Sequence, residues 1–234
     1  MVDVYAVKIV TNIDIKSFNL LKKYISFNKK QRIERYRRFE DAQRSLVGEL
    51  LIRFLICKNL NVYNKNITFS SNQYGKPELL HHDHFHYNIS HSDNLVVCCI
   101  HSLPVGIDVE KIQDFDSSIA KHFFSIDEYN YILNSENFNK NDLFFRIWCA
   151  KESYIKALGK GLFIPLDSFS IKVVDENISL KENNAANNAN KFSFKEYKLS
   201  SKYMIVACGQ SITFSDVHYI QLNDLINFFA GIPA

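Results

Sequence analysis

The sequence predicts an α+β fold, because helical and strand patterns come in separate blocks within each half of the chain instead of alternating one by one. Apolar residues recur at helical spacing between Leu46 and Leu55, and a second helical pattern runs from about Leu143 to Leu158. Strand-like apolar runs occupy much of the remainder, and no fixed-period repeat is visible. With 234 residues, of which 47% are hydrophobic and 14% aromatic, the chain can bury a substantial core.

The first half is predicted to begin with a strand at residues 3–10 (DVYAVKIV). Asn28 then introduces a helical stretch, and the longer helix around Leu46–Leu55 follows. Gly75 and Pro77 mark a turn. Three strands are predicted after it, the first of which alternates apolar with polar residues: 84–92 (HFHYNISHS), 95–100 (LVVCCI) and 104–109 (PVGIDV).

The second half is predicted to contain more helix before its strands. A helical block runs from about Ser117 to Leu133, and the helix from about Leu143 to Leu158 leads into a loop that ends at Pro165. Four strands are predicted beyond this loop, at residues 168–174, 191–199, 203–209 and 218–222. Between the first two lies the polar tract KENNAANNAN (181–190), which lacks periodicity and is predicted to be a surface loop.

Composition and charge restrict the possible classes of protein. The five cysteines form an odd set without C-x-x-C spacing, which favours reduced thiols in a cytoplasmic protein. No apolar run approaches the roughly 20 residues of a membrane span, and the N-terminus lacks the basic segment of a signal peptide. The net charge of +3 is modest for a nucleic-acid binder, although residues 29–44 hold seven basic against three acidic residues. We therefore expect a soluble cytoplasmic protein with a local positive patch.

Three acids and a lysine form the main candidate site. Asp108 and Glu110 lie two apart in an apolar run, so on a strand both carboxylates leave the same face. Glu152 and Lys156 lie four apart in a helical pattern and share one helix face. Acids of this kind can hold Mg²⁺ against substrate phosphates. Two simpler interpretations stay open: solvated acids on an exposed strand face, and an ordinary ion pair on a helix surface.

The basic segment 29–44 also has competing interpretations. The first interpretation is a solvated helix face and the second a nucleic-acid surface. The third is an anion site in which Lys29, Arg32 and Arg44 hold a phosphate and Ser45 donates a hydrogen bond from its hydroxyl. Lys76, in a tight turn, would add another positive group. These residues are therefore candidates for phosphate binding.

Two further positions carry possible chemistry. Ser125 and Glu128 match the S-x-x-E capping box, which is a sufficient explanation for the glutamate. Ser90 and His91 are neighbours on a predicted strand and so point apart, which makes them a poor nucleophile and base pair. A phosphate or hydroxyl contact suits His91 better.

In their order and spacing, six segments together resemble the 4′-phosphopantetheinyl transferases of the Sfp type. The segments are QYGKP (73–77), FHYNISHS (85–92), PVGIDVEKI (104–112), FFSIDEY (123–129), WCAKESYIKALGKGL (148–162) and PLDSFSI (165–171). The resemblance implies transfer of the phosphopantetheine arm of coenzyme A to a serine of an acyl or peptidyl carrier protein, with release of adenosine 3′,5′-bisphosphate. It also implies a monomeric pseudodimer of two similar α/β subdomains, residues 1–105 and 106–234, with the active site between them.

The resemblance implies a role for each candidate residue. Asp108, Glu110 and Glu152 would ligate Mg²⁺, or Mn²⁺, at the coenzyme A diphosphate, and Asp108 would thereby also contact the coenzyme. Lys156 would stabilise the diphosphate, Glu152 would act as the base, and Glu128 would have a catalytic or water-holding role. The coenzyme contacts would come from the basic patch and four residues outside it: Lys29, Arg32, Arg44 and His91 at the 3′-phosphate, and Ser45, Lys76 and Ser90 at the adenine, ribose or phosphates.

Overall fold

The computed structural model describes residues 1–136, 139–182 and 191–233. Eighteen α-helices and β-strands occupy these ranges, and the first half of the chain holds eight of them. In order these are β1 (Val2–Lys8), α1 (Ile15–Leu21), α2 (Phe27–Glu34), α3 (Phe39–Leu60), β2 (Phe69–Ser71), β3 (Pro77–Leu79), β4 (His86–Ser92) and β5 (Leu95–His101).

The second half begins with a strand and then has three helices before its remaining strands. These elements are β6 (Val105–Lys111), α4 (Ser117–Phe123), α5 (Ile126–Leu133), α6 (Lys140–Leu158), β7 (Phe169–Val174), β8 (Asn177–Glu182), β9 (Ser193–Tyr197), β10 (Tyr203–Gly209), β11 (Phe214–Tyr219) and α7 (Leu222–Ala230). The α+β prediction is confirmed. The polar tract predicted as a loop contributes its first two residues to β8, and its remainder lies outside the described residues.

Several predicted elements were wrong in extent or number. The single helical block at 117–133 is two helices, because Ser125 caps a new helix with its hydroxyl and breaks the first. The last predicted strand, 218–222, lies instead at Phe214–Tyr219. Five elements were missed: α1, β2, β3, β8 and α7. Each has no more than nine residues, too few for periodicity to distinguish strand from helix.

The strands form two main sheets that face each other. The first has the order β11-β1-β5-β4 and the second the order β6-β10-β9, while β2–β3 and β7–β8 are separate hairpins. Pairing is antiparallel throughout, except that β11 runs parallel to β1. Residues of both main sheets form one apolar cluster, in which Val4 and Val97 pack with Ile107 and Ile205. This shared cluster joins the two halves of the molecule.

Each main sheet is covered on its other face by a long helix. α3 contributes Leu46, Leu50 and other apolar residues to the core beneath the first sheet. α6 contributes Ile147 and Ile155 to the core beneath the second sheet. Cys98 and Cys99 lie in different cores, which confirms that adjacent cysteines point to opposite faces of β5. The layers are therefore helix, sheet, sheet and helix, as expected of two similar halves.

The end of the chain returns to the first half. β11 pairs with β1, and Leu225 and Phe229 of α7 lie in the core that α3 covers. Division of the chain near residue 105 stays a proposal, and it assigns to the second half both β11, which pairs with β1, and α7, which packs in the first core. Within the described residues, no helix is both long and apolar enough to cross a membrane.

Candidate active site between the two sheets

The two acids of β6 face two serines of β4. The Asp108 Oδ1 accepts a hydrogen bond from the Ser90 hydroxyl at 2.8 Å, and the Glu110 Oε2 accepts one from the Ser92 hydroxyl at 3.0 Å. On the same side of β4, the Asn88 Oδ1 accepts from the backbone amide of Ile107 at 2.9 Å. The period-two spacing on both strands therefore brings the carboxylates to one face, as predicted.

Helix α6 brings the third acid and the lysine to the same place. The Lys156 ammonium lies 2.6 Å from the Asp108 Oδ1 and 3.9 Å from the Glu152 Oε2. This approach requires Gly106, because a Cβ there would lie 2.1 Å from the Ser153 carbonyl oxygen. The absence of a Cβ at this position lets the two backbones approach closely.

Negative charge is concentrated at this site with little water to screen it. Only 2% of Asp108 is exposed, and its Oδ2 has no hydrogen-bond partner among the described residues. Burial, followed by the charge of Asp108, raises the pKa of Glu110 to about 7. Burial also raises the pKa of Glu152. Burial lowers the pKa of Lys156, but the charge and hydrogen bond of Asp108 together with the charge of Glu152 raise it, and the pKa is raised overall.

These acids suit a hard divalent cation in their chemistry. Carboxylate oxygens are the ligands that Mg²⁺ prefers, and the unpartnered Asp108 Oδ2 and the raised pKa of Glu110 both indicate a shortage of positive charge. No group of three or more His, Cys, Asp or Glu side chains is arranged as a ligand set in the part of the chain that the structure describes. Convergence of the three acids on one ion therefore stays a prediction.

A basic cleft of about 850 Å³ lies on the other side of β4. It brings together five of the predicted coenzyme contacts, which come from α2, α3 and β4: Lys29, Arg32, Arg44, Ser45 and His91. Arg44 is held in place by the carbonyl oxygen of Asp93 at 2.7 Å and by an ion pair with Asp41. Burial lowers the pKa of both Lys29 and His91.

Sequence reasoning missed three polar residues that line this cleft. The Arg53 Nε lies 2.9 Å from the Glu49 Oε1, and the Arg53 Nη1 donates to the Asn64 Oδ1 at 3.2 Å. All three are buried. The i,i+4 spacing of Glu49 and Arg53 was a detectable signal, but Asn64 lies in an irregular segment where no spacing rule applies.

Strand β4 connects the cleft to the acid cluster. It is the edge strand of its sheet, and its successive side chains point to opposite faces. His91 lines the cleft while Ser90 contacts Asp108. The cleft and the acid cluster are therefore both next to this edge strand.

Two predicted site residues are placed elsewhere. The Glu128 carboxylate accepts hydrogen bonds from the backbone amides of Ser125 and Ile171 and pairs with the buried Lys151 at 2.8 Å. The predicted capping box is therefore confirmed. A catalytic role for Glu128 stays a prediction. Lys76 is outside the residues that line the basic cleft, and its ammonium donates to three backbone carbonyls at the end of α6 and the start of β6.

An acid cluster next to a basic cleft is an arrangement suited to an enzyme that transfers phosphate groups. Comparison with known proteins supports this class of enzyme. Residues 14–102 match the family model described as 4′-phosphopantetheinyl transferase, N-terminal, and residues 104–208 match the 4′-phosphopantetheinyl transferase superfamily. The chain therefore belongs to the 4′-phosphopantetheinyl transferase family. The predicted family and the predicted transferase activity are both confirmed.

Individual relatives cover nearly the whole chain. It is similar to the 4′-phosphopantetheinyl transferase gsp of Aneurinibacillus migulanus, with 40% identity over 98% of this chain and 95% of that protein. It is also similar to the transferase Sfp of Bacillus subtilis, with 35% identity over 87% of this chain and 90% of that protein. The solved structure of Thermotoga maritima holo-[acyl-carrier-protein] synthase matches 46% of this chain and 62% of that chain at 17% identity and a TM-score of 0.39.

Proposed function

We propose that the cleft and the acid cluster together carry out the transfer of 4′-phosphopantetheine from coenzyme A to a carrier-protein serine. The observation that carries this proposal is their junction at β4, where Ser90 contacts Asp108 and the adjacent His91 lines the basic cleft. Coenzyme A carries phosphate groups at two separate positions, the 3′-phosphate near one end and the diphosphate near its middle. Two neighbouring sites, the cleft and the acid cluster, suit such a molecule.

In this proposal the basic cleft holds the nucleotide end of coenzyme A. Lys29, Arg32 and Arg44 supply positive charge to the 3′-phosphate, and charge-assisted hydrogen bonds of this kind are shorter and stronger than neutral ones. His91 and Ser45 add donors from β4 and α3. The Arg44 guanidinium is already fixed by Asp41 and Asp93, so little side-chain entropy is lost on binding.

The acid cluster would act on the diphosphate. Asp108, Glu110 and Glu152 would hold Mg²⁺, with Mn²⁺ as the alternative, and the bound ion supplies charge neutralisation as the phosphoanhydride breaks. Lys156 lies where its ammonium can stabilise the diphosphate oxygens, since it already contacts Asp108. The raised pKa of Glu152 suits it to accept a proton.

The covalent step is a displacement at phosphorus. The serine oxygen of the carrier forms a bond to the phosphorus that bears the pantetheine arm, and the phosphoanhydride bond of coenzyme A breaks. Adenosine 3′,5′-bisphosphate leaves with the bonding electron pair, and the serine proton passes to Glu152, directly or through a water. Positioning and charge stabilisation account for most catalysis in such transfers.

We further propose that the partners are acyl or peptidyl carrier domains and that the protein acts as a cytoplasmic monomer. A nucleic-acid or membrane partner is not part of this proposal. The positive residues Lys29, Arg32 and Arg44 line a concave cleft, which fits a small anion better than a duplex.

The test is incubation with coenzyme A, Mg²⁺ and an apo carrier protein. Mass spectrometry should show the carrier gaining the mass of one phosphopantetheine arm. Asp108→Ala should lose transfer by a factor of about 100 or more, because two donors at the diphosphate, Lys156 and Ser90, lose the acid that orients them. Circular dichroism should show an intact fold.

The matched control is Asp83→Ala, which removes an exposed acid from the turn before β4 and should transfer at the wild-type rate. Chelation by EDTA should abolish transfer, and titration with Mg²⁺ or Mn²⁺ should restore it. Absence of any mass gain on several carriers would refute the function, and undiminished transfer by Asp108→Ala would refute the assigned site.

A further inference from the structure

The loop between β2 and β3 (residues 72–76) contacts the second half of the chain at the end of α6. The Lys76 ammonium donates to the carbonyl oxygens of Lys156 at 2.6 Å, Val105 at 3.1 Å and Ala157 at 3.4 Å. An ammonium has three N–H donors, so these three acceptors use its full capacity. A phosphate could bind Lys76 only by displacing a backbone contact.

Asn72 strengthens the same contact from the other end of the loop. Its side-chain amide donates to the Gly159 carbonyl oxygen at 2.8 Å. Its Oδ1 accepts from the amides of Tyr74 and Lys76, which holds the loop in a tight turn. A Cβ on Gly159 would lie 3.0 Å from the Asn72 amide nitrogen and 3.1 Å from the Lys76 Cδ, so the loop and the helix end are closely packed.

We propose that Lys76 is a positioning residue of the transfer reaction, which fixes the end of α6 against the start of β6. This inference rests on the proposed function. Two of the three carbonyls belong to the last turn of α6, and one of these is the carbonyl of Lys156 itself. The third begins β6, three residues before Asp108.

The physical reasons for this assignment are local. The last carbonyls of a helix lack intrahelical donors and carry partial negative charge, so a cation there is favourable. Holding α6 and β6 at one distance keeps the Lys156 ammonium at 2.6 Å from Asp108. Displacements of about 1 Å can lower a catalysed rate by a factor of about 100.

Burial supports the same assignment. It lowers the pKa of Lys76, because the ammonium is largely removed from water. The lysine also lies outside the set of residues that line the basic cleft, where Lys29 and Arg32 face the proposed 3′-phosphate position.

The experiment compares Lys76→Met, Lys76→Arg and Arg32→Met in the carrier-transfer assay. Lys76→Met keeps the length of the side chain but removes its donors, so kcat should fall by about 10- to 100-fold while the KM for coenzyme A changes by less than about twofold. Lys76→Arg should recover part of kcat, because a guanidinium can donate to the same carbonyls. Arg32→Met should show the opposite division, a raised KM with kcat nearly unchanged.

Lys160→Met is the matched control, since Lys160 is exposed in the adjacent loop and its replacement should leave both constants at wild-type values. Where Lys76→Met does not fold, Asn72→Ala tests the same contact, with a smaller fall in kcat and an unchanged KM. A raised KM with an unchanged kcat in the Lys76 variants would overturn the proposal, because it would show a direct coenzyme contact. Unchanged values of both constants would also overturn it.

The outcome can be separated from failure of the proposed function. If the wild-type protein transfers no phosphopantetheine, the proposed function fails. In that case the midpoint of urea unfolding still tests the contact, and it should be lower for Lys76→Met than for Lys160→Met. If the wild type is active and only the Lys76 variants depart from expectation, the positioning role alone fails.

Discussion

At the scale of single residues, buried charges occur in two settings. Lys156 pairs with Asp108 at the site, where one carboxylate oxygen remains without a partner among the described residues. Lys151, which is 0% exposed, pairs with Glu128 and also donates to the carbonyl oxygens of Leu166 and Phe169. The second setting is saturated with contacts and therefore has a structural use, whereas the first has capacity to bind a ligand.

Breaking the saturated pair should destabilise the fold. Lys151→Met leaves the Glu128 carboxylate buried without its cation, and we expect a loss of about 3–5 kcal/mol in the free energy of unfolding. Urea denaturation measures it, with the exposed Lys172→Met on β7 as the control. Adding Glu128→Gln to Lys151→Met should restore part of the loss. A loss no larger than that of the control would contradict this account.

His91 should make stability depend on pH. Its side chain keeps an exposed surface, yet its pKa is lowered from 6.5, chiefly by desolvation from the protein groups around it and further by the charges of Arg44 and Lys29. Below the ordinary value the unfolded chain binds a proton that the folded chain does not, so stability is lost as the pH falls from 7 toward 5. Urea unfolding of His91→Gln should show a smaller loss over this window than the wild type. The exposed His84→Gln should behave like the wild type, and equal losses in all three proteins would contradict the prediction.

At the scale of elements, the contact between α6 and β6 determines where the site forms. β6 carries Asp108 and Glu110, α6 carries Glu152 and Lys156, and Gly106 lets the two backbones approach. Helical and strand periodicity predicted which faces these residues occupy, and the structure confirms those faces. The distance between the backbones of α6 and β6 depends on the absence of a Cβ at Gly106. Sequence periodicity gives no information about this distance.

Gly106→Ala should therefore disturb stability and activity together. The new Cβ would lie 2.1 Å from the Ser153 carbonyl oxygen and 2.5 Å from the Ala157 nitrogen, so α6 must move. We expect a loss of more than about 2 kcal/mol in urea unfolding, and transfer reduced more than the remaining folded fraction explains. Gly231→Ala, at the end of α7, should change stability by less than about 0.5 kcal/mol. A tolerated Gly106→Ala would show that the helix can shift at little cost.

At the scale of the whole molecule, contacts beyond the site itself also join the two halves. The sheets share an apolar cluster, the 72–76 loop contacts the end of α6, and β11 with α7 returns to the first half. The predicted pseudodimer would account for the repeated pattern of a long helix on a mainly antiparallel sheet. The return of the chain end was not predicted, because α7 has only nine residues and its partners lie far away in sequence.

The first half should accordingly depend on the last helix. Phe229 is fully buried beside α3, and Phe229→Ala should cost about 3–5 kcal/mol of unfolding free energy. Ile212 provides the control, because it is 91% exposed in the loop between β10 and β11. Ile212→Ala should change the free energy of unfolding by less than about 0.5 kcal/mol. Equal midpoints of urea unfolding for the two variants would show that α7 is dispensable.

The sequence by itself determined the fold class, the family and the face on which each acid of the site lies. These properties depend on local spacing, of two residues in a strand or four in a helix, and on short motifs. Only the tertiary structure decided that Lys76 contacts the end of α6, that Glu128 is enclosed by Lys151, and that α7 completes the first core. Asn72 and Gly159 are 87 residues apart in the chain, and their contact results from the packing of elements, which local spacing does not encode.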